Sequence, residues 1–243
     1  MKNKKYNVII LFVLGLIFSS CGSSKLVEPL RKNENAIAVE LGGPLIKIPG
    51  SIVSPLPFTS IMYGRGITND LTLHTSWYST AAVFGVAQMD FGATYAFWKS
   101  KDEKHGLSGM LGFNTALDVY VPKSFKFWPQ LNAHYYLKYN FKQQTQDELL
   151  TNGSKRANLF YVGFSTWYEL GRIKAHGEKQ KNIVIPSFDI GHDLNWKRWT
   201  FKLELRLIAP FTSNKDIVVE YKSITGKTGA TGVYLGFMYR FKR

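Results

Sequence analysis

The feature that most constrains the fold is an unbroken alternation of apolar and polar side chains over residues 127–141, FWPQLNAHYYLKYNF. Side chains of a β-strand point alternately to its two faces, so one face here is apolar and the other polar. The stretch exceeds the roughly five or six residues of an ordinary strand and the roughly nine to eleven that cross a bilayer at a tilt. Aromatic residues lie toward both ends of the apolar face, as in strands that face lipid. The stretch therefore predicts a transmembrane β-strand.

The same alternation recurs from residue 36 to the end of the chain, with turn or loop signals between the segments. About ten segments read this way, centred on residues 36–42, 61–67, 71–78, 87–97, 107–120, 127–141, 160–166, 184–194, 199–207 and 233–241. The sequence contains no helical-period segment of useful length, no glycine-rich phosphate loop and no zinc-ligand spacing. An even strand number suits a closed barrel, which also leaves no exposed edge strand. We predict an all-β fold: an antiparallel up-and-down transmembrane β-barrel of about ten strands, with roughly eight to twelve compatible with the pattern.

This strand count carries one inconsistency. If the chain enters from the periplasm, the longest polar interruption, residues 142–158, falls on the periplasmic side. Long loops of such barrels usually face the outside. Either a strand is miscounted near the poorly marked bend at residues 79–84, or the barrel is unusual, and we favour a miscount.

The first residues have the layout of a secretory signal. Lysines at positions 2, 4 and 5 precede an apolar run over residues 8–18, which is too short for a transmembrane helix. Cys21, the only cysteine, follows directly, and a lone thiol excludes an intrachain disulfide framework. We predict a signal peptide over residues 1–20, a tether over residues 21–35, which are polar and lack periodicity, and a barrel domain over residues 36–243.

Residues 18–24, FSSCGSS, resemble the lipobox of bacterial lipoproteins, with Phe18 where leucine is usual. In that family the cysteine is diacylated and becomes the new N-terminus, so the resemblance implies a covalent diacylglycerol and acyl lipid at Cys21, and we expect no other cofactor. Gly22 stands where an aspartate would signal retention in the inner membrane, which by the same resemblance implies the outer membrane. An ordinary signal peptide with an incidental cysteine is the alternative.

The last segment, residues 233–241, resembles the C-terminal assembly signal of outer-membrane barrels, although Lys242 and Arg243 follow the final aromatic residue, Phe241. The whole pattern resembles small barrels of Bacteroidota-type bacteria. The resemblance implies outer-membrane lipid, lipopolysaccharide and the barrel-assembly and lipoprotein-sorting machineries as partners. The formal net charge of +14 does not indicate nucleic acid, which exported lipoproteins rarely meet. In the basic stretch 171–181, Lys174 and Lys179 are candidate contacts to anionic head groups.

The polar faces of the predicted strands carry charges of both signs. The lumen-facing candidates are Glu40, Asp90, Asp118, His134, Lys138, Lys202, Glu204, Arg206 and Arg240, and Arg65 joins them as a candidate inward charge. Because roughly eight strands leave an interior just filled by side chains, ten leave little free bore. Opposite charges in a narrow interior favour pairing over an ion path. We therefore expect a structural or scaffold role, or narrow solute passage, rather than an open pore.

Two alternatives stay open from the sequence. Alternation also builds soluble barrels and sandwiches with an apolar interior, so a periplasmic lipoprotein that binds an apolar ligand is the first. The second is an acyl hydrolase, because His74 and Ser76 share a strand face and Gln88 lies on the polar face of the next strand. This set resembles the triad of outer-membrane phospholipase and lipid A deacylase barrels, but Gln88 replaces an Asn or Glu and no Asn follows the serine. We expect a protein that is not an enzyme.

Overall fold

The computed structural model describes residues 25–47, 53–121, 124–139, 156–170, 183–214 and 221–242. These residues form eleven strands and one short helix: β1 (Glu34–Lys47), β2 (Val53–Pro55), β3 (Phe58–Gly66), β4 (Leu71–Trp77), α1 (Ser79–Val83), β5 (Val86–Lys99), β6 (His105–Asp118), β7 (Lys126–Tyr139), β8 (Asn158–Tyr168), β9 (Val184–Trp196), β10 (Trp199–Ser213) and β11 (Thr228–Lys242). Within these ranges, no helix has the length and apolar character needed to cross a membrane.

Ten of the strands close into one barrel. Each pairs antiparallel with its neighbours in the chain, and β11 pairs back onto β1 from Glu34↔Lys242 to Pro44↔Gly232. Among the described strands, the short strand β2 pairs with the end of β1. The predicted fold class, an antiparallel up-and-down barrel of about ten strands, is confirmed.

In β7, the alternating side chains form one surface that faces the lumen and one that faces outward. In β7, Gln130, His134 and Lys138 are buried inside the barrel, whereas Leu131 and Tyr135 on the other face are 47% and 44% exposed. The other strands repeat this arrangement. Exposed apolar side chains on the outer face include Ile37, Leu73, Leu111, Val162, Phe188, Leu203 and Leu235. Buried polar side chains on the inner face include Ser60, Thr72, Asn114, Ser187 and Thr200.

This distribution overturns the first alternative. A soluble barrel that carries an apolar ligand needs an apolar interior and a polar exterior. The barrel has the reverse, with a polar and charged interior and an apolar outer surface.

The strand count resolves the inconsistency about the long loop. We name the end where β1 begins and β11 finishes the termini end. The end of β7 and the start of β8, which the long polar interruption joins, both lie at this end. The favoured miscount near residues 79–84 is wrong: α1 occupies this bend, and β4 and β5 remain antiparallel neighbours on either side of it. The two strands that the long interruption connects therefore do meet it at the termini end, as the ten-strand count predicts.

The N-terminal segment, residues 25–33, runs from the barrel interior, which residues 25–30 occupy, to the start of β1. Leu26, Val27 and Leu30 are only 5%, 1% and 0% exposed. The predicted tether over residues 21–35 is corrected for its described part: residues 25–30 are packed against the inner wall, and β1 begins at Glu34 rather than at residue 36.

Candidate functional site: the occupied lumen

The inner end of the N-terminal segment is fixed by a buried lysine. Lys25 Nζ lies 2.5 Å from Glu40 Oε2 and 3.8 Å from Asp90 Oδ2, and it donates a hydrogen bond of 3.1 Å to Ser60 Oγ. The backbone carbonyl of Lys25 accepts a bond of 2.9 Å from Lys202 Nζ. One cation of the segment thus meets two carboxylates of the wall, and these partners come from β1, β3, β5 and β10.

The middle of the segment is held by apolar packing on two sides. Leu26 and Leu30 pack with residues of β1 and β3, namely Ala36, Ala38 and Met62. Val27 packs on the opposite wall with the residues Tyr136, Leu159 and Tyr161. Two hydrogen bonds fix the backbone between them: Ser108 Oγ donates to the carbonyl of Val27 at 2.5 Å, and the N–H of Leu30 donates to Thr72 Oγ1 at 2.7 Å.

The outer end of the segment carries the opposite charge. Glu28 Oε1 lies 2.7 Å from Lys138 Nζ, and Glu28 Oε2 lies 3.1 Å from Arg156 Nη1. Arg156 also donates to the carbonyl of Pro29 at 3.1 Å and pairs with Glu34 at 2.7 Å. Burial by itself raises the pKa of Glu28, but Arg156 and Lys138 outweigh burial and lower this pKa from 4.5 to about 2. The carboxylate is therefore ionised at neutral pH.

A tight turn over residues 31–33 leads from the segment into β1. The N–H of Asn33 donates to the carbonyl of Gly66 at 2.9 Å, and the N–H of Lys32 donates to Asn69 Oδ1 at 3.1 Å. Asn33 has a φ of 61°, in the left-handed region that asparagine tolerates. A Cβ atom at Gly66 would lie 2.0 Å from the carbonyl oxygen of Arg31, so this close approach requires glycine.

Eight of the nine lumen candidates are buried on the inner wall: Glu40, Asp90, His134, Lys138, Lys202, Glu204, Arg206 and Arg240. The ninth, Asp118, is half-buried at the end of β6, where its carboxylate accepts a bond of 2.9 Å from the N–H of Tyr120. Arg65 points outward with the exposed face of β3, so its assignment as an inward charge is wrong.

The charged groups of the wall pair within one strand or across an intervening strand, as from β7 to β9 and from β8 to β10. His134 Nε2 lies 3.0 Å from Asp189 Oδ2, and Arg206 Nη2 lies 2.9 Å from Glu204 Oε1. Tyr161 donates a hydrogen bond of 2.8 Å to Glu204 Oε2. Such pairs are the arrangement that a narrow interior with both signs of charge favours.

The three hydrolase candidates lie on the inner wall but do not form a triad. Both ring nitrogens of His74 and the hydroxyl of Ser76 are buried without a hydrogen-bond partner. Gln88 donates its amide to Asn114 Oδ1 at 2.9 Å. A nucleophile must be within hydrogen-bond reach of its base, and it must face the lipid to meet an acyl ester, so this geometry gives no support to an acyl hydrolase.

Several sequence predictions fall outside the described residues. These are the lipidation site Cys21, the signal peptide, and the lipid-contact candidates Lys174 and Lys179. Within the described part of the chain, no group of three or more His, Cys, Asp or Glu residues could hold a metal ion.

Sequence reasoning missed three residues that organise the site: Lys25, Glu28 and Arg156. One signal could have revealed the first two. The supposed tether holds three large apolar residues, at positions 26, 27 and 30, which a solvated linker does not need. Arg156 lies at the end of the polar interruption before β8, and nothing in its local sequence indicates a buried ion pair.

No family model and no curated protein matches the chain. Solved structures with a related backbone include the KdgM porin (11% identity, TM-score 0.36, covering 86% of this chain and 99% of that chain). They also include an outer-membrane channel from Pseudomonas putida F1 (10%, 0.44, 90% and 100%). A third is the translocator domain of the autotransporter NalP from Neisseria meningitidis (8%, 0.37, 98% and 96%). At such low identities and TM-scores, these likenesses carry no argument about what the chain does.

Proposed function

We propose that the protein is a β-barrel of the bacterial outer membrane that is closed at rest by its own N-terminal segment. The observation that carries this proposal is the position of residues 25–30, which cross the interior and are fixed to its wall by buried ion pairs and apolar packing. A chain in this position leaves little room for solute in a ten-strand barrel. The protein then serves a structural or scaffold role, and it passes small solutes only when the segment moves.

The outer surface supports a membrane location. Soluble monomers rarely expose contiguous apolar patches larger than a few hundred Å². Here exposed Leu, Ile, Val and Phe side chains cover the outward face of successive strands. Aromatic side chains lie toward both barrel ends, for example Trp199 packed on Tyr239 at the termini end and Phe113 packed on Phe127 toward the other. This is the surface that lipid tails and their interfaces cover in transmembrane barrels.

The lipid anchor belongs to the same proposal. The lipobox-like residues around Cys21 support acylation, and two or more acyl chains hold a protein stably on a membrane. Because Lys25 lies four residues after Cys21, the lipid-bearing residue of the proposal is at most about 14 Å from the inner end of the segment. Mass spectrometry of the mature N-terminal peptide tests the anchor, because acylation adds a mass that a Cys21→Ser variant lacks. Contacts of Lys174 and Lys179 with lipopolysaccharide, and use of the barrel-assembly and lipoprotein-sorting machineries, are further parts of the proposal.

The closed state is tested by conductance across a planar bilayer. The full mature protein is expected to show no steady current, and a variant that lacks residues 25–32 is expected to conduct continuously. Equal current through both proteins would contradict the proposal. A shift in gel mobility between unheated and boiled samples checks that each variant forms a closed barrel.

A further inference from the structure

A cavity of about 240 Å³ lies at the termini end of the lumen, next to Glu28. This volume approaches the roughly 300 Å³ at which small-molecule pockets begin. Its wall combines the N-terminal segment with the β3–β4 turn, the region between β5 and β6, and the ends of β7 and β8. The charged side chains of this wall are Glu28, Arg31, Lys99, Glu103, Lys138 and Arg156.

Basic groups outnumber acidic groups on the wall by four to two. Lys99 also pairs with Asp70, and Arg156 pairs with Glu34 behind the wall. One donor group is left over. The guanidinium of Arg31 lines the cavity and has no hydrogen bond or ion pair among the described residues. It offers a carboxylate a charge-assisted contact that the described part of the chain does not make.

The cavity already shows how it would hold a carboxylate. The two oxygens of Glu28 are shared between Lys138, at 2.7 Å, and Arg156, at 3.1 Å. Glu28 is 21% exposed, so its contacts are open to competition, whereas those of the buried Lys25 are not.

We propose that this cavity binds a small molecule with two or three carboxylates. One carboxylate pairs with Arg31, and another competes with Glu28 for Lys138. Because Glu28 holds the outer end of the N-terminal segment, the bound acid loosens the segment and favours an open lumen. This second step rests on the proposed function; the binding step does not.

Binding is tested by isothermal titration of the full mature protein in detergent with citrate, at an ionic strength held constant with sodium chloride. Saturable binding is expected for the wild type. The Arg31→Gln variant is expected to bind citrate at least about tenfold more weakly, because one charge-assisted contact is lost. Lys104→Gln changes an exposed lysine in the β5–β6 turn at the same end and is expected to bind as the wild type does. Absence of saturable binding, or undiminished binding by Arg31→Gln, would overturn the inference.

A second variant, Lys99→Gln, tests the site independently in case Arg31→Gln does not fold. Lys99→Gln removes another cation from the wall, and it is expected to weaken citrate binding about threefold, since Lys99 is already shared with Asp70. Only variants that keep the heat-dependent gel shift of a closed barrel are compared.

Conductance then separates the two steps. Citrate is expected to raise the current through the wild type over the concentration range of binding. Without citrate, Glu28→Gln is expected to conduct more than the wild type but less than the variant that lacks residues 25–32, because Lys25 still holds the inner end of the segment. If Glu28→Gln conducts but citrate does not bind, the inference fails and the proposed function stands. If citrate binds but neither protein conducts, the proposed function fails and the binding site stands.

Discussion

The two ends of the N-terminal segment are anchored by opposite charges in different surroundings. At the inner end, the cation Lys25 meets Glu40 and Asp90, and all three side chains are almost completely buried. At the outer end, the anion Glu28 meets Lys138 and Arg156 and is 21% exposed. Reversing the segment in the lumen would place like charges together, so the charge pattern fixes its direction.

The difference also separates two roles. A buried charge that loses its partner is left in a low-dielectric interior, which is costly, whereas a partly exposed charge regains water. The inner contact is therefore the lock that keeps the segment in place. The outer contact is the part of the segment that solution conditions and small anions reach first.

The largest expected effect comes from breaking the inner contact. Lys25→Met keeps the apolar stem but removes the amine, so Glu40 loses the cation that lies 2.5 Å from it. The free energy of docking of the segment is expected to fall by about 3–5 kcal/mol. The measurement is the labelling rate of a Val27→Cys thiol in a Cys21→Ser background, compared with and without Lys25→Met. An unchanged rate would show that Lys25 is not the lock.

A smaller loss is expected at the outer contact. Glu28→Gln removes the charge that Lys138 and Arg156 share, and the docking free energy is expected to fall by about 1–3 kcal/mol. The same labelling assay measures the change. A loss equal to that of Lys25→Met would remove the distinction between the two ends.

Acid is expected to weaken the outer contact selectively. The pKa of Glu28 is lowered from 4.5 to about 2, so its ionised form stabilises docking fully above pH 4.5, and this contribution is lost as the pH falls from 4.5 toward 2. Labelling of the Val27→Cys thiol is slow at acid pH, so the segment is instead followed by its protection from proteolysis with an acid-active protease. The wild type and Glu28→Gln are compared, and the difference in their pH-dependent protection is the part that Glu28 causes. If their protection does not differ between pH 4.5 and about 2, Glu28 is not the titrating group.

The smallest effect is expected away from the segment. Lys104 and Asp102 form an ion pair of 3.8 Å at the termini end, with both side chains more than half exposed. Water and salt screen such pairs, so Lys104→Gln is expected to leave labelling at Val27→Cys unchanged. A clear change would mean that the assay reports net charge at this end rather than docking.

The sequence predicts the wall of the barrel better than its contents. β7 is predictable because its side chains face the outer surface and the lumen in turn. Residues 126–139 therefore alternate between apolar and polar with a period of two. The same alternation places His134 and Glu204 on the inner face. The N-terminal segment has no such period, because it is held by side chains and single hydrogen bonds rather than by a strand ladder.

Partners that lie far apart in the chain escape a sequence argument for a related reason. Arg156 and Glu34 are 122 residues apart, and only closure of the barrel brings them together. Arg65 shows the converse: its charge suggested the lumen, but its parity with Ile61 and Tyr63 on β3 places it outside. Near strand ends, parity is a better guide than charge, since long basic side chains reach the membrane interface.

The central claim is that residues 25–30 occupy the lumen of the folded barrel, and thiol accessibility tests it most directly. In a Cys21→Ser background the chain has no other cysteine, so Val27→Cys, at a position 1% exposed, is compared with Val83→Cys, at a position 81% exposed in α1. With a water-soluble maleimide that is present on both sides of the vesicle membrane, Val27→Cys is expected to react at least about 100-fold more slowly than Val83→Cys. Equal rates would contradict the account, because the segment would then lie outside the barrel.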